Sequence, residues 1–189
     1  MMRLLIITCL CLLVCSCSTR EIYNKFNGAT AQRLMSFSID HAMEKLPEED
    51  FAAMRGKTVQ VRCHYLEPGE LTDYATRRLE LELRQRFNMT LTHVSDDAAF
   101  VLDFFFNALG TDSDSFGFEL PPIIIPGIGT APPISVFNLD LYHGVTEMYY
   151  YISDASNPAQ IVRGERISHT SKTDRLSTPI IAFPISRIK

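Results

Sequence analysis

From Ala98 onward the apolar residues recur with a period of two, and this limits the second half of the chain to β-structure. In Ala98 to Leu109, Phe100, Leu102, Phe104 and Phe106 fall on one side and Val101, Asp103, Phe105 and Asn107 on the other. Successive strand side chains point to opposite faces, so the phenylalanine-rich side must be core. Ile134 to Tyr142, Val145 to Ser153 and Ile161 to Ser168 repeat the pattern, with His143-Gly144 read as an interruption. Asp154 to Pro158 gathers turn formers and predicts a hairpin. Earlier, Thr58 to Leu66 places Val59, Val61, Cys63 and Tyr65 on one side, and Met89 to Val94 reads as a further strand.

Two segments follow the helical period instead. Ala31, Met35, Ile39, Ala42, Met43 and Leu46 recur at three- and four-residue steps, and Pro47 ends that helix. Ala75, Leu79, Leu83 and Phe87 form a second stripe, for which Thr72 or Asp73 supplies the N-cap. Glu80 with Arg84 and Glu82 with Arg86 are i,i+4 pairs on its other side. Together these elements predict an α+β fold, with one mostly antiparallel sheet of about five strands and two helices packed on one face. With 46% hydrophobic and 21% charged residues, the chain can close one sizeable core, so residues 29–189 are expected to form a single domain.

Two stretches resist this scheme. Gly110 to Phe118 is polar and rich in turn formers. Leu120 to Pro133 (LPPIIIPGIGTAPP) is apolar but holds five prolines and two glycines, which excludes a regular helix or a central strand. Ile123, Ile124, Ile125 and Ile128 within it cannot all face water without inviting association, so they are the candidate partner-contact loop.

The first residues carry an address. Arg3 is followed by an uncharged apolar run, Leu4 to Val14, too short for the roughly 20 residues of a spanning helix but suited to an export signal. The run ends in Val14-Cys15-Ser16-Cys17, which resembles the lipobox of bacterial outer-membrane lipoproteins, with Val14 at −3, Ser16 at −1 and Cys17 at +1. Cys15 stands at −2, where that class has a small residue, and Cys15 itself fails as the modified residue because Val14 would then occupy −1. The resemblance implies a signal peptide over 1–16, acyl chains such as palmitate on Cys17, a tether over 17–28 and a domain held at the outer membrane, facing the periplasm. Ser18 after the cysteine resembles outer-membrane sorting. The plainer alternative is a secretory signal cut nearby without lipidation.

The body is similar to a group of uncharacterised bacterial lipoproteins in its "DDAAFVLDF" strand (Asp96 to Phe104), "ALGTD" turn (Ala108 to Asp112) and "IPGIGT" loop (Ile125 to Thr130). That group implies no activity and no functional residue.

No residue set specifies a reaction. Gly127-Ile128-Gly129 lacks a third glycine and is followed by Pro132-Pro133, where a phosphate-binding helix would have to begin. Asp112-Ser113-Asp114 imitates a calcium loop, yet Phe116 and Ile123 stand where oxygen ligands belong. The five histidines form no HExxH pair, Cys63 has no CxxC neighbour, and no cofactor is implied. Cys63 and His64 alternate in a strand and so point apart. Removing residues 1–16 leaves 17 Lys and Arg against 22 Asp and Glu, a balance that disfavours nucleic acid as a partner.

The expected role is therefore a non-enzymatic envelope lipoprotein that meets the membrane through Cys17 and another envelope protein through its domain. A small-ligand or lipid-binding domain, using the aromatic strands and the loop, is the second reading. An unrecognised hydrolase drawing on Asp103, His143 and His169 is the third.

Overall fold

A computed structural model of the chain describes residues 28–64, 67–94, 97–120, 123–125, 129–131 and 134–185. In chain order the elements are helices α1 (Ala29–Glu44) and α2 (Glu48–Phe51), a 3-10 turn (Ala52–Met54), strand β1 (Thr58–His64), helix α3 (Glu70–Gln85) and strand β2 (Thr90–Thr92). Strands β3 (Phe100–Leu120), β4 (Ile123–Ile125), β5 (Gly129–Ala131), β6 (Ile134–Asp154), β7 (Asn157–Arg163), β8 (Ile167–Ser177) and β9 (Ala182–Pro184) follow.

The α+β class and the mostly antiparallel sheet stand, and two details are corrected. The main sheet has seven strands rather than about five, in the order β2-β1-β3-β6-β8-β9 with β7 on β6, and β4 with β5 forms a separate pair. The described residues hold three α-helices rather than two, the extra one being the four-residue α2, too short to show a period. Within that mostly antiparallel sheet, β1 runs parallel to both β2 and β3. Alternation reports which face a residue takes but not the direction of its neighbour.

The chain divides into two compact units. The larger comprises Lys25–Thr111 and His143–Ser171 and holds the core. Ile39, Ala42, Met43 and Leu46 from the α1 end meet Ala75, Leu79 and Leu83 of α3 and Leu102, Phe104, Met148 and Tyr150 of the sheet, all fully buried or nearly so. Its aromatic centre is Phe51, 4.9 Å from Phe87 and 5.1 Å from Tyr150 between ring centroids. The Tyr150 hydroxyl donates to Asp50 Oδ2 at 2.5 Å. Burial first, and then that carboxylate, push the phenol well above its ordinary pKa.

Two glycines are set by close approach. A Cβ on Gly164 would lie 2.0 Å from the Tyr150 ring, and one on Gly144 would lie 2.6 Å from the Leu34 carbonyl carbon. His143-Gly144 therefore does not interrupt β6, which continues through it. The glycine is where α1 reaches the strand. Beneath the same helix the Ser38 hydroxyl lies 2.8 Å from Thr146 Oγ1 and 3.0 Å from the His169 carbonyl, so these buried polar groups satisfy one another.

Helix α3 starts at Glu70 after Gly69, earlier than the expected Thr72 or Asp73 cap, and Gly69 supplies no side-chain cap. Thr72 instead donates to the Glu67 carbonyl. The predicted hairpin at Asp154 is present, with Asp154 opposite Asn157, and the Asp154 carboxylate accepts from the Ser156 amide and hydroxyl.

Candidate functional site

The described helices pack on the Leu102, Phe104, Met148 and Tyr150 side of the sheet in the larger unit, and planar side chains line up across its other face. His64 on β1, Phe105 on β3 and Tyr149 on β6 stack nearly parallel, with centroids 4.4 and 5.2 Å apart. Arg163 on β7 continues the row, its guanidinium 5.3 Å from the Tyr149 centroid, while Tyr151 meets Phe105 edge-on. One planar group per strand at the strand spacing makes a cross-strand ladder, which ties four strands together. Asp103 stands beside it, its carboxylate 2.9 Å from His64 Nε2. The aspartate that breaks an apolar strand thus lies on that other face and is paired. Farther along, Glu147 accepts from Asn107 Nδ2 at 3.1 Å and pairs with Arg166.

Among the described residues, no serine, threonine or cysteine side chain hydrogen-bonds the His64–Asp103 pair. Cys63 takes the helix-facing side, where burial raises its pKa, opposed by a Thr76 hydrogen bond and aided by the Glu80 charge. The thiol is therefore held protonated on the far side of the sheet from His64. Of the residues offered for a hydrolase, Asp103 is engaged with His64 and His169 stacks on His41 at 4.7 Å. His169 titrates below its ordinary range, from partial burial first and then the charges of Lys45 and His41. His41 Nδ1 donates to the Phe37 carbonyl at 2.8 Å.

The smaller unit, taken from Asp112–Tyr142 and the described residues from Lys172 on, is built differently. No side chain described in it is buried. Gly110 to Phe118, expected as a polar turn, is instead the continuation of β3. Its alternation is real but is carried by serine, aspartate, glycine and phenylalanine, a composition that reads as loop. Ser115 Oγ lies 2.9 Å from Asn138 Oδ1 and 2.8 Å from Asp140 Oδ1, and Asn138 Nδ2 donates to the same Asp140 oxygen at 2.8 Å. These groups share one face of the sheet, and a Cβ on Gly117 would strike Asn138 Oδ1 at 2.7 Å. By alternation Phe116, Phe118, Phe137, Leu139 and Leu141 take the opposite face, with the three phenylalanines 43%, 50% and 47% exposed.

Strand β8 lies along β6, where Ser177 Oγ donates to the Asn138 carbonyl at 3.4 Å. It turns into β9 through Thr178–Ile181, closed by the Thr178 amide on the Ile181 carbonyl at 2.8 Å. Leu176 then opposes Phe183, which is 45% exposed, and Ile180 at the turn is 90% exposed.

Of the sequence candidates, Ile123, Ile124 and Ile125 form β4, paired with Ala131, Thr130 and Gly129 of β5. Ile128 and Cys17 lie outside the described residues. Among the described residues no group of three or more His, Cys, Asp or Glu side chains could hold a metal, and no helix is long and apolar enough to cross a membrane. No family model matches the chain, and no curated protein matches it.

Proposed function

We propose that this protein is a lipid-anchored, non-enzymatic accessory of the bacterial envelope, held by acyl chains on Cys17 and working by contact through its smaller β unit. The observation that carries the reading is a sheet with Phe116, Phe118, Phe137 and Phe183 exposed and no described side chain buried. Contiguous apolar surface of this kind in a folded chain marks a place that another surface covers. The lipobox resemblance at Val14 to Cys17 supports the anchor.

Two measurements in cells test this. Metabolic labelling with palmitate disappears in Cys17→Ala and persists in Cys15→Ala. A photo-reactive residue at Phe118 or Phe183 gives adducts with an envelope component, whereas one at exposed Glu49 on α2 gives none. Absence of adducts at both phenylalanine positions would sink the contact reading.

A further inference from the structure

We infer that the covering surface is bilayer hydrocarbon, into which the smaller unit enters tip first. This rests on the proposed contact role and names its partner. The decisive feature is the distribution of charge along the unit. The described strand ends of the unit lie together. β3 runs out to Leu120 and β6 returns from Ile134, while Ser177, where β8 ends, lies beside Asn138 near the start of β6. From Ser115 to Phe137 the only charged residue is Glu119, and from Leu176 to Ile185 there is none. Asp112, Asp114, Asp140, Lys172, Asp174 and Arg175 lie farther back along their strands, the last two beside Ile185 and Pro184 where β9 returns.

A protein partner needs a complementary patch anywhere on a sheet face. A gradient from charged to charge-free along the strand direction fits instead a planar boundary crossed by the strands. Phe116 to Leu120 spans about 13 Å at roughly 3.3 Å per residue, close to the roughly 15 Å of hydrocarbon in one leaflet.

The backbone is suited to that setting, where an unpaired N–H is costly. β4 and β5 pair with each other, and in the Thr178–Ile181 turn Pro179 carries no amide donor. The opposite face, with its Ser115–Asn138–Asp140 network, keeps its polar groups mutually satisfied.

The test uses the full lipidated chain reconstituted in vesicles of phosphatidylethanolamine and phosphatidylglycerol. Phe118→Cys, Ile180→Cys and Glu49→Cys, each with Cys63→Ser, are labelled with an environment-sensitive fluorophore, and phospholipids brominated on their acyl chains are added as quenchers. Blue-shifted emission at positions 118 and 180, quenched at least twofold by brominated lipid, with neither effect at 49, is the expected result. Water-like emission at 118 and 180 overturns the inference. So does blue-shifted emission that brominated lipid leaves unchanged, since a protein would then be the cover. The parent carrying only Cys63→Ser keeps the two failures apart: it takes up label only when Cys17 bears no lipid, which counts against the anchor and not against the insertion of the tip.

Discussion

At the scale of single residues, the strongest constraints sit where backbone meets ring or helix. Gly164 leaves room for the Tyr150 ring, and a methyl group there would overlap it at 2.0 Å, so the ring or the strand must shift. Gly164→Ala should destabilise the larger unit by about 1–3 kcal/mol, read from the urea midpoint. Tyr150→Phe tests the same corner from inside, by removing the donor to Asp50. Loss of a hydrogen bond to a charged acceptor predicts about 1.5–3 kcal/mol, with far-UV circular dichroism unchanged. His169 sets a pH dependence whose sign follows from its lowered pKa. The unfolded chain takes up the proton first as pH falls below about 6.5, so folding stability declines through that window. His169→Gln should flatten the slope of stability against pH below about 6.5, while an unchanged slope would assign it elsewhere.

Among elements, the ladder across β1, β3, β6 and β7 makes a prediction that pairwise burial alone does not. Phe105 and Tyr149 stack at 5.2 Å with rings 9° apart, so a double-mutant cycle with alanine at both should return a coupling of about 0.5–1.5 kcal/mol. A coupling near zero would mean that the rings merely share a face. The ladder strands, like the α1 and α3 stripes, were legible because alternation and helical period both express burial on one side. Three features were not. The direction of β1 leaves no trace in which face its residues take. Gly144 resembles a strand break in sequence, although its role is to admit Leu34 of α1. The outer half of β3 was hidden because Asp112, Ser113, Asp114 and Gly117 are turn formers by composition, and only the pairing of Ser115 with Asn138 and Asp140 across the sheet shows the strand. Phe116 and Phe118 therefore carry no strand signal in the sequence, whereas the isoleucines of Leu120 to Pro133 stand out by composition.

On the scale of the whole molecule, the two units differ in what holds them together. The larger one buries Phe51, Phe87, Phe104 and Tyr150 fully, which is the ordinary source of cooperative stability. The smaller one has sheet hydrogen bonds and a polar network but no described buried side chain, and strands without a packed face are marginal in water. Their amides should therefore exchange by different routes. In detergent-free solution, residues 101–106 and 146–151 should show protection near the global unfolding free energy, while 113–118 and 136–141 exchange through local opening many times faster. Burial of the exposed phenylalanines by hydrocarbon would remove that difference, because opening would then cost apolar exposure as well as hydrogen bonds. Hydrogen exchange on the same protein in phospholipid vesicles should slow selectively at 113–118 and 136–141 and leave 101–106 unchanged. Equal protection of both segments in water would show that the smaller unit is stable without a covering surface, and would remove the physical reason for assigning it one.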